Sequence, residues 1–317
     1  MNDFVPIKGA FEKASLHVIE NASLAQYTTF KLGGPCPFLV ECQTPQQVEL
    51  AIGLLNQHKL PFGIIGGGSN LIISDQGVGH VIIRYFTEIP QIHMSGMAVK
   101  VPAGTKIDDL ALYCAKHALA GLNFCSGIYG TVGGAIVGNA GAFGQQVSDC
   151  LTSVFVLTHS GEKKEIISSN LDFSYRDSIF KRNKEVILEA CFGLRKGDKD
   201  MLLKERKEIL ALRRQKHPDI NMHPCAGSIF RNLEVDEKNG HRQASGWLLE
   251  QAGAKNLKVG HAAIFEKHAN IIINTGQASA EDVYALTQMM ADSVYKKFKV
   301  KLIPEVSFLG EFSNAPR

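Results

Sequence analysis

Residues Gly121–Gly144 read GLNFCSGIYGTVGGAIVGNAGAFG, and no Asp, Glu, Lys, Arg or His occurs anywhere from Ala118 to Ser148. So long an uncharged run raises the possibility of a transmembrane helix. Glycine at this density argues against it, because each one costs a water-exposed helix about 1 kcal/mol relative to alanine. Asn123, Asn139, Gln145 and Gln146 would also sit poorly in lipid, and no Lys/Arg flank of the usual kind borders the run. The stretch reads instead as buried backbone that must approach something closely, which glycine permits because it lacks a Cβ and tolerates positive φ. A surface of uncharged N–H groups suits a large, partly anionic cofactor; a tightly packed structural loop is the competing reading.

The rest of the chain narrows the class. Its 317 residues suggest two domains or three small ones, and 45% hydrophobic with 21% charged residues is the balance of a soluble globular protein. A net charge of +3, without a Lys/Arg run interleaved with aromatics, is too mild to argue for a nucleic-acid surface and is compatible with a small anionic ligand. Seven scattered cysteines, none in a CxxC pair, argue for a reducing compartment and against a disulfide framework or zinc ribbon. The eleven histidines form no HxH or HExxH pattern, so no metal is expected. MNDFVPIKGAFEKAS is no signal peptide. A cytoplasmic, metal-free protein without a membrane segment is the expectation.

Taken in order, residues 1–20 look like a helical or loose lead-in, and Phe38-Leu39-Val40 like a short strand. Thr44-Pro45 opens a helix, with threonine as N-cap and proline at the first position. Gly66–Asn70 (GGGSN) is a turn between two strands, either a plain hairpin or a row of N–H groups able to bind a pyrophosphate. Residues 81–86 and 98–102 read as strands, followed by an amphipathic helix; 151–166 reads as a hairpin turning at Ser160-Gly161. Val186–Phe192 is a strand, and the charged helix 201–216 marks a domain boundary. Beyond it come a small-residue turn, HPCAGSIFRN, leading into a strand, and a helix stopped at Gly253. The strand pair HAAIFEKHANIIINTG, a helix with a Ser279/Asp282 capping box, and an edge-like strand around Pro304 follow.

Eight motifs stand in order: TTFKLGG, IIGGGSNLIISDQGVGHVI, SGIYGTVGGAIVGNAGAFG, SYRDSIF, CAGSIFRN, GWLLEQAGAK, EKHANIIIN and IPEV. From about Asn21 to Gly310 the chain thereby resembles the UDP-N-acetylenolpyruvoylglucosamine reductase family. The resemblance implies an α+β fold: a two-lobed FAD-binding domain of the vanillyl-alcohol-oxidase type plus a smaller α/β substrate-binding lobe. Its expected limits are 1–84, joined by the C-terminal return 303–317, then 85–207, then 208–302. It also implies non-covalent FAD, held by Gly66, Gly67, Gly68, Ser69, Asn70, Gly127, Gly130, Thr131, Gly133, Gly134 and Asn139. The subclass implied is the one lacking a long tyrosine-bearing lid loop, because no insertion interrupts Ser178 to Lys204.

The implied reaction has two halves in one site. NADPH reduces FAD; the enolpyruvyl ether of UDP-N-acetylglucosamine then takes hydride at C3 and a proton at C2. Three residues match catalytic positions: Arg176 on the substrate carboxylate, Ser228 as proton donor to C2, and Glu305 as a carboxyl polarising the enolate. Lys216 and Asn232 match substrate contacts and Tyr175 a contact with substrate or nicotinamide, while His268 reads as a packing residue or one just behind the contact residues. The chain departs from the family pattern at Tyr129, where proline is usual, at Cys225, His261 and Phe265, and in a longer run EVDEKNGHRQ. The expected partners are the two small substrates alone, and the expected state a monomer. The rivals are a flavin oxidase or dehydrogenase of the same fold on another substrate, and a non-catalytic flavin- or nucleotide-binding relative. A covalent flavin would have Cys125 as its one nearby candidate.

Overall fold

The computed structural model describes residues 5–158, 160–234 and 242–313. Phe4 of the lead-in and most of EVDEKNGHRQ lie outside them. The α-helices among the described residues are α1 (Val5–Lys13), α2 (Pro45–Gln57), α3 (Ile107–Lys116), α4 (Val132–Val137), α5 (Phe180–Asn183), α6 (Lys199–Lys216), α7 (Ser245–Gln251) and α8 (Ala280–Phe298). The chain divides into two compact units: Met1–Ala22, Pro37–Gly67 and His80–Arg213; and Ser23–Cys36, Gly68–Gly79 and Arg214–Arg317.

The first unit holds two sheets. One runs in the order His17–Ser23, Pro35–Cys42, Val81–Tyr85, Phe62–Ile65, with Leu39 beside Ile82 and Ile64 beside Ile83 in parallel register. The other, antiparallel, runs Lys163–Ile167, Leu151–Leu157, Val186–Gly193, Ala98–Pro102, His93–Ser95. The expected hairpin is there, with Val154 opposite Ile166 and Gly161 at φ +86°. A single core joins Phe11, Val48, Leu55 and Ile83 to Val101, Leu110, Val154 and Phe192. Helix α2 starts as read: Thr44 accepts the Gln47 N–H, and the Gln47 side chain answers at the Thr44 N–H.

Two expectations change here. The lead-in is a helix followed by a strand, His17–Ser23. Ser15, at φ +55°, turns the chain out of α1, and Leu16 N–H closes on Phe11 O at 3.0 Å. The strand escaped notice because only Ala22 of its seven residues is buried, leaving no alternation to read. The GGGSN turn is not a hairpin. Phe62–Ile65 pairs with Val81–Tyr85, whereas Leu71–Ile73 pairs in parallel with Ser307–Leu309.

The second unit carries a three-stranded antiparallel sheet, Lys258–Val259, Ala262–Ile264 and Ile272–Asn274, packed with α7 and α8. Its expected strand pair is borne out, with Ala263 opposite Ile273. So is the cap of α8, where Ser279 and Asp282 exchange side-chain and backbone hydrogen bonds. Gly253 ends α7 at φ +78°. CAGSIFRN, however, opens no regular strand. It makes isolated bridges, Ser228 with Ile271 and Phe230 with Pro304. Pro304 has no N–H to give, so the pairing runs through its neighbours: Arg231 N–H to Ile303 O (2.9 Å) and Glu305 N–H to Ile229 O (2.7 Å).

Among the described residues no helix is long and apolar enough to cross a membrane. The glycine stretch is broken into a short 3-10 turn (Asn123–Cys125), α4 and two two-residue strands, Gly141–Ala142 and Gln145–Gln146.

Candidate active site

The glycine residues of the first unit explain themselves by what a side chain would strike. A Cβ on Gly66 would lie 2.3 Å from Thr131 Oγ1, and one on Gly67 would lie 3.0 Å from Gly130 Cα. The turn and the glycine stretch therefore touch backbone to backbone, an approach only glycine allows. Thr131 caps α4, its Oγ1 accepting the Gly134 N–H at 3.3 Å. Gly134 on α4 and Gly138 at its C-cap stand four residues apart and so share a face. A Cβ there would meet nothing nearer than 3.6 Å, and Gly134 is exposed. That face is bare of side chains, while the first N–H groups of the helix are held within the protein: Val132 by Thr105 O (2.8 Å), Gly133 by Ala103 O (2.8 Å) and Gly134 by Thr131 Oγ1 (3.3 Å).

Other members of the expected set turn to the protein. Gly133 packs on Ala103, giving its N–H to Ala103 O at 2.8 Å. Gly127, at φ +73°, gives its N–H to the Asp108 carboxylate at 2.7 Å. Asn139 is fully buried: its amide donates to Ser174 O (3.0 Å) and Gln146 Oε1 (3.2 Å), and its Oδ1 accepts the Ser148 N–H (3.1 Å).

Asn139 thereby fastens the loop carrying Arg176. Ser174 and Asp177 exchange two backbone hydrogen bonds of 3.2 Å each, leaving Tyr175 and Arg176 at the tip of a tight turn. Arg176 takes φ +57°, a conformation costing a side-chain-bearing residue about 1 kcal/mol or more. Its guanidinium donates to Gly141 O (2.7 Å) and Asn139 O (3.4 Å) and lies 5.1 Å from the Tyr175 ring. Ser178 anchors the far end of the turn on Val137 O at 2.8 Å.

In the second unit, the Ile229–Glu305 hydrogen bond sets Ser228 and Glu305 on neighbouring segments, both half-buried. The supports converge on those two segments. Asn70 donates its side-chain amide to Glu305 O (3.0 Å) and accepts the Ser307 N–H on its carbonyl (3.0 Å). Asn270, 3% exposed, brackets Phe230 by accepting its N–H (3.0 Å) and donating to its carbonyl (2.8 Å). Thr29 Oγ1 donates to Cys225 O at 2.7 Å, and its N–H to Gly68 O at 3.2 Å. A Cβ on Gly68 (φ +61°) would strike Tyr27 O at 2.1 Å, so this glycine answers to the chain itself. Asn232 accepts the Ser245 N–H at 3.2 Å, while Lys216 is exposed at the end of α6. His268 rests 5.5 Å from the His217 ring, and burial pushes its pKa below the usual 6.5, with Lys255 and Lys216 adding repulsion. Asn270 and Thr29 were missed as individual residues, although both lie inside quoted motifs, EKHAN and TTFKLGG.

All seven cysteines are free. Cys125 is fully buried, and burial raises its thiol pKa well above 9.0, so it offers no thiolate for a covalent flavin. Among the described residues no three His, Cys, Asp or Glu side chains gather in a way that could hold a metal ion. The backbone cradle at Gly66, Gly67, Gly130 and Thr131, with the bare Gly134–Gly138 face, fits a flat dinucleotide cofactor approached by main-chain groups.

Comparison with known proteins follows the same line. The FAD binding domain family matches residues 36–166, and the UDP-N-acetylenolpyruvoylglucosamine reductase C-terminal domain matches residues 218–309. The UDP-N-acetylenolpyruvoylglucosamine reductase of Carboxydothermus hydrogenoformans is 41% identical over 95% of this chain and 96% of its own. The chain belongs to the UDP-N-acetylenolpyruvoylglucosamine reductase family. A Bacillus cereus reductase 1 is 36% identical over 92% of the chain and 95% of its own length. The crystal structure of the Thermus caldophilus reductase covers 93% of this chain and 99% of its own, with TM-score 0.76 and 29% identity. The protein is thus an FAD-containing oxidoreductase of peptidoglycan precursor synthesis, with NADPH as reductant and the enolpyruvyl ether of UDP-N-acetylglucosamine as substrate. Its fold is the two-domain FAD-binding α+β type expected from the motifs.

Proposed function

We propose that Arg176, Ser228 and Glu305 carry the reduction of the enolpyruvyl ether to UDP-N-acetylmuramate. The chemistry that bound FAD supplies is hydride transfer, from NADPH to the flavin and from flavin N5 to C3 of the ether. Gly66, Gly67, Gly130, Thr131 and Gly134 would hold it through main-chain groups, with Gly68, Ser69 and Asn70 continuing the turn. Gly127, Gly133 and Asn139 shape that wall from behind, through their own protein contacts.

Arg176 binds the substrate carboxylate and stabilises the negative charge that builds there and at C2. Ser228 gives its hydroxyl proton to C2; the resulting alkoxide must be reprotonated from solvent or a neighbour before the next turnover. Glu305, on the segment that pairs with Ile229 next to Ser228, would donate a hydrogen bond from its protonated carboxyl to the enolate. Tyr175, Lys216 and Asn232 contribute to substrate seating, with Lys216 as a point charge for the diphosphate. The observation that carries this reading is the hydrogen-bonded pairing of the CAGSIF and IPEV segments, far apart in sequence and held in register by Asn70 and Asn270.

The same reading takes the two sheets of the first unit as the FAD-binding lobes, within 1–84 and 85–207, and residues 208–302 as the substrate lobe. The 303–317 return pairs with Leu71–Ile73, which falls within 1–84 in sequence but belongs to the second compact unit. Strands Val186–Gly193 and Arg195–Lys196 fill the chain between α5 and α6, which supports the subclass without a tyrosine lid. We place the enzyme in the cytoplasm as a monomer.

Ser228→Ala tests the assignment. Under anaerobic stopped flow, NADPH should bleach the flavin at the wild-type rate, while reoxidation by UDP-N-acetylglucosamine enolpyruvate slows about 10²–10⁴-fold. Equal loss of both half-reactions sinks the proton-donor role.

A further inference from the structure

Helix α6 is mostly polar. It buries only Leu202, Arg206 and Ile209, and hydrogen bonds tie it to Asp108 and to the Asn123–Ser126 segment. Arg213 Nε donates to Ser126 O (2.7 Å) and Nη2 to Phe124 O (3.2 Å). The Asn123 amide donates to Leu202 O (3.0 Å) and Glu205 (2.5 Å). Arg206, 8% exposed, meets Asp108 of α3 through two parallel bonds, Nη1–Oδ1 at 2.6 Å and Nη2–Oδ2 at 2.9 Å. The same Asp108 Oδ1 accepts the Gly127 N–H at 2.7 Å.

Gly127 is where the chain turns into the cradle. Its φ is +73°, and a Cβ would meet Leu210 Cδ2 at 2.8 Å and Arg213 Cδ at 3.0 Å. Gly130, Thr131 and Gly134 follow within seven residues. An irregular loop has no ladder to satisfy its N–H and C=O groups, so the side chains that satisfy them also set its geometry. A carboxylate that shares a bidentate guanidinium cannot swing, which fixes the direction of its third bond.

We propose that Arg206 is a positioning residue for the FAD cradle, acting through Asp108 on the Gly127 turn. This rests on reading the glycine stretch as the FAD site. Removing Arg206 leaves the half-buried Asp108 carboxylate without its guanidinium and lets it turn towards water. The Gly127 N–H then loses its fixed acceptor, and the wall from Gly127 to Gly134 loosens against the flavin.

The test measures FAD dissociation from purified holoenzyme on dilution, by recovery of flavin fluorescence, together with the flavin absorption spectrum. Arg206→Leu should release FAD about tenfold faster and shift the flavin bands, and Arg206→Lys, which keeps the charge but not the bidentate grip, should restore part of the retention. Asp108→Asn keeps an acceptor oxygen but not the charge, and should fall between the two. It decides the matter if Arg206→Leu does not fold. Ile209→Ala, a packing change on the same helix, is the control and should leave the flavin spectrum unmoved. Wild-type retention and spectrum in both Arg206→Leu and Asp108→Asn would overturn the proposal. So would an equal effect of Ile209→Ala at equal loss of stability. A wild-type protein that binds no FAD would instead overturn the reading beneath it.

Discussion

The contact between Gly66 and Thr131 can be tested by adding one carbon. Gly66 lies outside the left-handed region, so alanine there meets no backbone objection. Its methyl would sit 2.3 Å from Thr131 Oγ1, 3.1 Å from Cγ2 and 3.3 Å from Cβ. No rotation about the Thr131 Cα–Cβ bond clears both branches while leaving Oγ1 at the Gly134 N–H. Gly66→Ala should therefore incur overpacking and the loss of the α4 cap together, about 2–4 kcal/mol. Thr131→Ala should cost about 1 kcal/mol, the cap alone. In the double variant only the 3.3 Å contact with Cβ remains, so the methyl fits after a shift of a few tenths of an ångström. Its total cost should be about 1–2 kcal/mol, a coupling of at least about 1 kcal/mol in favour of the pair. Urea unfolding of the four proteins measures the cycle, and FAD titration of the same samples reads the cradle. Strictly additive costs would refute the contact. A destabilised Gly66→Ala that binds FAD as tightly as wild type would refute its place in the site.

Three further outcomes follow from the geometry. Denatured holoenzyme should release all its FAD, and Cys125→Ser should remain yellow, because that thiol is buried and protonated; flavin fluorescence travelling with the unfolded chain on a gel would contradict this. Asp75 accepts the Ala280 N–H on both oxygens (3.0 and 2.8 Å), so Asp75→Ala should cost about 1.5–3 kcal/mol and speed hydrogen exchange in the first turn of α8; a loss below about 0.5 kcal/mol would dismiss the contact. His268 has a folded pKa below 6.5, lowered first by burial, so unfolding takes up a proton, stability rises with pH through this window, and it is lost as pH falls below 6.5. His268→Gln should flatten that part of the urea-midpoint profile, and an unchanged slope would remove His268 as its source.

What the sequence made legible was local or carried by motifs. Thr44-Pro45 with Gln47, and Ser279 with Asp282, announced their helices because a capping box is complete within four residues. The Gly161 hairpin and the Ala262–Asn274 strand pair were legible for the same reason. Helix α4 was not, since Val-Gly-Gly-Ala-Ile-Val is a poor helix former. It forms because Thr131 caps it and Gly133 can seat against Ala103, contacts that no window of sequence contains. The motifs named Ser228, Glu305 and, as a cofactor contact, Asn70, but gave no sign that Asn70 and Asn270 set the two segments in register. Asp108 and Arg206 stand 98 residues apart on two helices whose charges look like ordinary solvated faces.

Asn139 shows why a motif residue and a ligand contact are different claims. The family pattern sets it among the flavin-binding residues, yet each of its three side-chain hydrogen bonds goes to the protein. One of them grips Ser174, at the base of the turn that carries Arg176, and the Asn139 carbonyl accepts from Arg176 itself. Asn139 sits at φ +39° and Arg176 at φ +57°, so two side-chain-bearing residues are held in a disfavoured conformation within one small network. Neutral carbonyls orient a guanidinium without cancelling its charge, which a carboxylate-binding arginine must keep. On the proposed reading, the last turn of the glycine stretch would serve the substrate's carboxylate as much as the flavin. The local geometry accounts for an asparagine, not another glycine, at position 139: the position has positive φ, which asparagine tolerates, and its side chain bonds the backbone on either side.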